Sequence, residues 1–245
     1  MTVLENSIRV LRCFSATRKD VTVTEVSGLL ELPKSNVSRL LRAMRDVGLL
    51  DAAEESRAYR PGLLLLELGQ VLRSGQSLVA RADEAVRGVC EEFGHTGYVS
   101  VRQGRSMVGV SHHAGRNLLQ VGIPLGNRLD VDACATGRSL LALMPDVQVR
   151  ELLDGKLSRA TPSSPATFRD LFQRLSLVRS RGYSESTDEA GKGVGAFAVA
   201  VQNPRNGENL SMCITFPAAT TEQKERDLVI RSVLRAQADV SRLLS

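Results

Sequence analysis

The chain has few aromatic residues and no tryptophan. Aromatic side chains account for 4% of its 245 residues, which is too few to build the stacking platforms that bind single-stranded nucleic acids. Its four cysteines are widely spaced and include no C-x-x-C pair. This spacing gives little support for a zinc site or a disulfide framework, and it fits a reducing compartment.

Long apolar runs are also missing. No stretch approaches the length of about 20 residues that spans a bilayer, and the N-terminus lacks the basic-then-apolar pattern of a signal peptide. We therefore expect a cytoplasmic protein. A hydrophobic content of 42% is ordinary for a globular protein, and 245 residues favour two modest domains over a single large one.

The net charge of +5 permits nucleic-acid binding without establishing it, so the position of the charge is more informative. Between Thr22 and Leu50 the sequence predicts two short helices joined by a tight turn. Thr22 and Glu25 have the spacing of a capping box, in which each side chain satisfies a backbone N–H at the start of a helix. Pro33 is predicted at the first position of the second helix, and Gly48 just after its end.

The two faces of this second helix differ in character. Its apolar residues recur with helical spacing and predict a buried face formed by Val37, Leu40, Leu41 and Met44. The opposite face carries Arg45 and six candidates for contact with DNA, namely Lys34, Ser35, Asn36, Ser38, Arg39 and Arg42. Ser, Asn and Arg can read base edges in a major groove, and Lys or Arg can hold phosphates. An ordinary solvated face is the alternative, but the capped helix and the tight turn favour a helix-turn-helix.

The flanking segments predict the rest of a winged domain. A polar run that includes Arg57, followed by the sequence YRPG, predicts two short strands that form a wing, with Arg57 as a further candidate for DNA contact. Residues 21–23 are expected to add a small strand. Upstream, a helix over residues 4–16 is predicted, with Arg9 as either a phosphate contact or a plain surface residue. Its buried stripe is predicted to contain Leu4, Ile8, Leu11 and Phe14.

These segments resemble a known family. The sequence LPKSNVSRLLRAMRDVGLL, followed by YRPG and then LLELGQVL, is similar to the DNA-binding half of the IclR-type transcriptional regulators. The last segment predicts a linker helix that ends at Gly75. Its very apolar start indicates contact with a second copy, with the other domain or within its own surroundings.

The second half of the chain predicts an α+β domain built around an antiparallel sheet. Alternating segments predict one hairpin between residues 98 and 111 and another between residues 196 and 216, the latter with Asn206-Gly207 at its turn. Helices are expected over residues 78–93, 135–144, 147–153, 168–179 and 221–244. A further strand is expected over residues 118–121.

This half also resembles the IclR-type regulators. The segment from Asp132 to Ala142 is similar to the family's small-residue segment, and Arg181-Gly182-Tyr183, Asp188-Glu189 and Gly193 are similar to its Gly-Tyr-acidic-Gly signature. The resemblance covers essentially the whole chain and implies a GAF-like effector domain that binds a small, often carboxylated metabolite. It implies effector contacts from Ala135, Thr136, Ser186, Ala196, Cys213 and Thr215.

Two physical points support such a pocket. The start of the helix near Ala135 offers free N–H groups that suit a carboxylate. Cys213 and Thr215 are two positions apart on a predicted strand, so they face the same side of the sheet.

The sequence departs from the family pattern beside this pocket. Asp130 and Asp132 stand where Pro and His are common, Arg138 replaces a frequent Lys, Ser186 replaces an acid, and Ala196 is smaller than the usual Cys. Two added carboxylates would repel a dicarboxylate ligand. We therefore expect a different effector, one that is larger, more neutral or amine-bearing.

No arrangement of residues predicts catalysis, a metal site or a cofactor. His112 and His113 are adjacent on a predicted strand and point to opposite faces, so they are poor joint ligands. The sequence from Gly191 to Gly195 lacks the spacing of a phosphate-binding loop, and no nucleophile has a recognisable catalytic signature.

The sequence is therefore interpreted as a transcriptional regulator, expected to be a repressor, whose affinity for double-stranded operator DNA depends on a small-molecule effector. Residues 1–62 are predicted to form a helix-rich winged helix-turn-helix domain, residues 63–76 a linker helix, and residues 77–245 the effector domain. A homodimer or a dimer of dimers is expected. The alternatives are a metabolite-binding enzyme with an accessory helical domain and a winged helix that binds protein instead of DNA.

Overall fold

The computed structural model describes residues 2–15, 18–52, 57–74, 77–117 and 128–244. The chain forms two compact units, residues 1–76 and residues 77–245, and each is described by itself. Every described helix is too short or too polar to cross a lipid bilayer. The four cysteines are buried free thiols.

The first unit combines helices with a small antiparallel sheet whose strand order is β1-β3-β2. Its described elements are α1 (Val3–Leu11), β1 (Val21–Thr22), α2 (Val23–Leu30), α3 (Lys34–Asp46), β2 (Leu50–Ala52), β3 (Ala58–Pro61) and α4 (Leu63–Ser74). The predicted helix-turn-helix and wing are thus confirmed. Gly75, at which the linker helix was predicted to end, lies outside the described residues.

Local chemistry sets the ends of α2 and α3. The Glu25 N–H donates to Thr22 Oγ1 at 3.3 Å and the Thr22 N–H donates to Glu25 Oε2 at 2.7 Å, which is the predicted capping box. Pro33 precedes the first residue of α3 as its N-cap and does not occupy the first helical position. Gly48 follows α3 with φ of 78°, a left-handed conformation that glycine adopts without strain.

The buried face of α3 is mostly as predicted, whereas the predicted stripe of α1 is confirmed only for Leu11 and Phe14. Val37, Leu41 and Met44 are buried in the core of the first unit. Leu4 and Ile8 are 72% and 43% exposed, however, and the buried residues of α1 are Ser7 and Val10. Leu11 and Phe14 are half-buried and pack against this core, although Phe14 lies beyond the end of α1.

The second unit is an antiparallel six-stranded sheet with helices on both faces. Its described elements are α5 (Ser77–Phe93), β4 (Thr96–Gln103), β5 (Ser106–His113), β6 (Arg128–Asp130), α6 (Ala135–Leu141), α7 (Asp146–Leu152), α8 (Phe168–Arg181), β7 (Ser184–Thr187), β8 (Val194–Gln202), β9 (Asn209–Pro217) and α9 (Gln223–Arg242). The strand order is β6-β5-β4-β9-β8-β7. Both predicted hairpins are confirmed, and the short strands β6 and β7 were not predicted. The strand predicted over residues 118–121 lies outside the described residues.

Alternation along β9 separates the two layers of the second unit. Met212, Ile214 and Phe216 belong to the core that α5 and α9 cover. Between them, Cys213 belongs to a smaller cluster on the opposite face, and Ser211 on that face accepts a hydrogen bond from Ser139 of α6. Period-two alternation places successive side chains on opposite faces of the sheet, so the second of these faces carries the candidate pocket.

Candidate functional site

The exposed face of α3 is the first candidate site. Because Val37, Leu41 and Met44 are anchored in the core, the other side of the helix points to solvent. Ser38 is half-buried, and the other polar and basic residues of this face are exposed: Lys34, Ser35, Asn36, Arg39 and Arg42. We call these six residues the recognition face.

Hydrogen bonds within α3 orient two arginines of the recognition face. Arg39 Nη2 donates to Asn36 Oδ1 at 3.3 Å, and Arg42 Nη2 donates to Ser38 Oγ at 3.0 Å. Each pair lies about one turn apart, the spacing at which side chains on a helix meet. Each guanidinium group is therefore held beside a short polar side chain, so that the two can contact the same base pair or phosphate.

Three further arginines near this face differ in their partners. Arg45 Nη2 forms an exposed ion pair with Asp46 Oδ1 at 2.7 Å, so much of its charge is balanced. Arg57, just before β3, is exposed as a wing residue would be. Arg9 Nη2 donates to the carbonyl oxygen of Leu30 at 3.0 Å and so ties α1 to the end of α2.

The second candidate site is a cavity of about 160 Å³ in the second unit. Four of the six predicted effector residues line it, and the other two, Thr136 and Cys213, are fully buried beside it. The lining also contains six residues that were not proposed from the sequence as effector contacts. Its residues are Tyr98, Leu129, Cys134, Ala135, Ser186, Ala190, Gly191, Val194, Ala196 and Thr215.

Strand register brings the predicted residues together. Ser186 on β7 lies opposite Ala196 on β8, and Ala196 lies opposite Thr215 on β9. Directly opposed residues have Cβ atoms about 5 Å apart, so these three form one row across the floor of the cavity. In the next row, Cys213 lies opposite Tyr98 on β4, a pocket residue that the sequence reasoning did not select.

The hydroxyl groups of the pocket have distinct surroundings. Thr215 Oγ1 donates to the carbonyl oxygen of Thr96 at 3.2 Å. Tyr98 is buried beside Cys213 and Thr136, and this burial raises the pKa of its hydroxyl well above the usual range. The Tyr98 hydroxyl therefore stays protonated and keeps a proton that it can donate.

The start of α6 is tightly packed. Cys134 Sγ accepts a hydrogen bond from the Gly137 N–H at 3.3 Å and lies 3.2 Å from Thr136 Oγ1. A Cβ at Gly137 would stand 1.9 Å from the Val131 carbonyl oxygen, so only glycine fits there. One N–H of this first turn is thus already bonded to the protein and is not available to a carboxylate ligand.

The two aspartates that depart from the family pattern, Asp130 and Asp132, do not line the pocket. Charge repulsion from them is therefore no reason to exclude a dicarboxylate effector. Asp130 is exposed at the end of β6. Asp132 is buried, and its carboxylate accepts hydrogen bonds from the Ser158 N–H and Oγ, both at 2.8 Å. The charge at this position is used to hold the segment around Ser158.

A buried ion-pair network supports the loop that covers the pocket. Arg138, 1% exposed, pairs with the carboxylate of Glu189, and its Nη2 donates to the Glu185 carbonyl oxygen at 2.7 Å. Arg174 Nη1 lies 2.9 Å from Glu189 Oε1. Burial raises the pKa of Glu189, and the two arginines oppose that rise.

The network anchors pocket residues indirectly. Thr161 and Ser164 hydroxyls both donate to the Glu189 carbonyl oxygen at 3.0 Å, so the backbone and the side chain of Glu189 are both held. The next two residues, Ala190 and Gly191, line the cavity. Opposite charges at positions 138 and 189, in two separate motifs, were the signal in the sequence that could have suggested this pair.

An exposed basic helix in a helix-turn-helix and a small-molecule-sized cavity in a second unit together define a DNA-binding transcriptional regulator with a sensory domain. The model for the IclR helix-turn-helix domain matches residues 3–53, and that for the C-terminal part of bacterial IclR transcriptional regulators matches residues 70–242. The chain belongs to the IclR family of transcriptional regulators, and it is a regulator and not an enzyme.

Individual relatives agree with this assignment. The chain is 27% identical over 201 residues to the HTH-type transcriptional regulator XynR of Escherichia coli, covering 82% of this chain and 80% of that protein. An IclR transcriptional regulator from Alicyclobacillus acidocaldarius has the same fold with a TM-score of 0.87 at 22% identity, covering 99% and 98% of the two chains. An IclR homologue from Microbacterium hydrocarbonoxydans, solved in complex with 4-hydroxybenzoate, gives a TM-score of 0.80 at 19% identity, covering 98% and 100%.

Proposed function

We propose that the recognition face of α3 enters the major groove of an operator and that Arg57 contacts the adjacent backbone. The observation that carries this proposal is the exposure of the basic and polar residues on one side of a helix whose other side is fixed in the core. Asn36 and Arg39 have the side chains that pair bidentately with adenine and guanine, and Lys34 and Arg42 suit phosphates.

We further propose that residues 1–62 act as the DNA-binding domain, residues 63–76 as a linker and residues 77–245 as the effector domain. Two copies are needed to read a near-palindromic operator, since each recognition helix covers one half-site and half-sites lie about 34 Å apart. A homodimer, or a dimer of dimers on a longer operator, meets this requirement. We propose that the protein binds its operator in the cytoplasm, where a bacterial chromosome lies.

The pocket is proposed to bind the effector, with Ala135, Ser186, Ala196 and Thr215 in contact with it and Thr136 and Cys213 shaping its wall. The 4-hydroxybenzoate complex of the Microbacterium homologue supports small-molecule binding by this fold. An effector changes operator affinity to the extent that it binds the two states of the protein differently. We propose repression, in which the effector releases the protein from DNA.

The test is a gel shift of the purified protein on its own upstream DNA, with and without small acids and aromatic metabolites. We expect binding that survives excess unrelated DNA and is weakened by a compound that fills the pocket. As a control, a variant that carries both Asn36→Ala and Arg39→Ala should lose the specific complex and keep its fold. If that variant binds as well as the parent protein, the recognition face is not the DNA contact.

A further inference from the structure

The cavity is notable for the absence of charge in its lining. Among the residues that the structure describes, the ten that line it are uncharged, and seven of them offer only carbon, sulfur or backbone atoms. Desolvating an ionised carboxylate costs far more than desolvating a neutral group unless a partner charge or several hydrogen bonds compensate. An anionic ligand would therefore need either a cation or several hydrogen-bond donors in the lining.

The cationic side chains that are bonded to the pocket loop, or adjacent to a lining residue in sequence, are paired or exposed. Arg138 is buried, and its guanidinium bonds the Glu189 carboxylate and the Glu185 carbonyl. Arg174 is bonded to the same carboxylate and to Asp170. Lys192 follows the lining residue Gly191 in sequence, and it is exposed. To gain a counter-charge, an anionic ligand would have to break a buried pair or draw in an exposed cation.

One polar side chain in the cavity remains without a partner. Ser186 is 3% exposed and lines the cavity, and no hydrogen bond of its hydroxyl is found within the described part of the chain. A nearly buried hydroxyl is normally hydrogen-bonded, because burial removes the hydrogen bonds that it makes to water in the unfolded chain. A hydroxyl that faces a cavity without a partner is therefore suited to bond a ligand.

The size of the cavity limits what can enter. Its volume of about 160 Å³ is close to that of an engineered cavity of about 150 Å³ that binds benzene. Leu129, Val194 and Ala196 supply apolar surface for a ring of this size. The loop at Ala190 and Gly191 is held by the Glu189 network, so the walls are largely preformed.

We propose that this pocket takes a compact, uncharged molecule about the size of one six-membered ring, with a hydroxyl group that hydrogen-bonds Ser186. The inference rests on the proposed role of the pocket as the effector site and specifies the chemistry of that effector. Of the three alternatives expected from the sequence, it takes the more neutral effector over the larger and the amine-bearing ones.

Three probes of the same ring size separate shape, hydrogen bonding and charge. Phenol is neutral near pH 7 and carries a hydroxyl, toluene replaces the hydroxyl with a methyl group, and benzoate carries a charge. We expect calorimetric titration of the full-length protein to give the order phenol, toluene, benzoate from tightest to weakest. The preference for phenol over toluene should be about fivefold, the value of one ordinary hydrogen bond.

Variants assign the binding to this cavity. Ser186→Ala should abolish the preference for phenol over toluene and leave toluene binding unchanged. Ser184→Ala is the matched control, because Ser184 lies two positions away on the same strand, is fully buried and does not line the cavity. Ala196→Phe should fill the cavity and block both probes. If Ala196→Phe disturbs folding, Ala196→Val provides the test instead, and it should weaken the binding of both phenol and toluene to a smaller extent.

The outcomes also separate this inference from the proposed regulatory role. The proposal of an uncharged ligand would be wrong if benzoate bound as tightly as phenol, or if phenol showed no saturable binding in the millimolar range. If benzoate binds and also weakens the operator complex, the regulatory proposal stands while this inference is wrong. If phenol binds through Ser186 but leaves operator affinity unchanged, the ligand class stands and the regulatory coupling fails.

Discussion

The recognition face and the pocket are built for opposite kinds of recognition. The recognition face is an exposed run on one helix, with charged side chains that water already solvates. The pocket is a partly open cavity, its described lining side chains carry no charge, and they come from five strands, the start of α6 and two loops. Exposed charges attract a polyanion over a distance at little cost, whereas a buried site must match the ligand group by group. The same chain thus uses electrostatics for one partner and shape with hydrogen bonding for the other.

The largest expected difference between the recognition face and the pocket is in how strongly salt weakens binding at each. Each copy offers Lys34, Arg39, Arg42 and Arg57 to phosphates or bases, so a dimer presents eight cations, within the range of six to ten contacts that release counterions on this scale. Raising salt from about 50 to 200 mM should weaken operator binding by about 10³-fold or more. Fluorescence anisotropy measures this loss, and calorimetry with phenol should show almost none. A flat salt dependence of operator binding would contradict groove docking by this face.

Removing one partner of the buried Arg138–Glu189 pair should lower the free energy of unfolding far more than removing one partner of the exposed Arg45–Asp46 pair. Glu189→Gln leaves Arg138 buried without its counter-charge, and we expect a loss of about 3–5 kcal/mol in the free energy of unfolding of the second unit. Asp46→Asn is the control for an exposed pair, and we expect it to leave the free energy of unfolding nearly unchanged. Hydrogen exchange resolved by peptide reports the two units separately.

The loop of residues 188–193 should lose protection first in Glu189→Gln, because Glu189 holds it by side chain and backbone. Equal losses in the two variants would mean that the buried network does not stabilise the second unit more than a surface pair does.

The smallest expected effect distinguishes two arginines on the same helix. Arg39→Ala should reduce specific operator binding by about 1–3 kcal/mol and relax the preference at one base pair. Arg45→Ala should change it less, since Asp46 already balances that charge. Competition binding against a panel of single-base operator variants measures both. A uniform loss on all sequences with Arg39→Ala would make Arg39 a phosphate contact.

The helix-turn-helix was predictable because its signals are local. The capping box at Thr22 and Glu25, the spacing of Val37, Leu41 and Met44, and the left-handed Gly48 all act between residues close in the chain. The same kind of reasoning succeeded only in part for α1, where Leu11 and Phe14 pack on the core but Leu4 and Ile8 are exposed.

The pocket was predictable only in part. Ser186, Ala196 and Thr215 were selected because they match a family pattern, and the register of β7, β8 and β9 places them in one row. Tyr98, Leu129 and Val194 were not proposed as ligand contacts, since nothing in their neighbouring sequence distinguishes them from other core residues. Asp132 was expected to act on the ligand, but it accepts two hydrogen bonds from Ser158.

The sequence by itself determined the helix-turn-helix, the two antiparallel hairpins of the second unit and the polar face of α3. These depend on periodicity and capping, which act over one or two helical turns or across a short hairpin. Only the tertiary structure decided the membership of the pocket and the pairing of Arg138 with Glu189. Thr96 and Thr215, bonded beside the cavity, are 119 positions apart, and such neighbours meet only once strand register and helix packing are set.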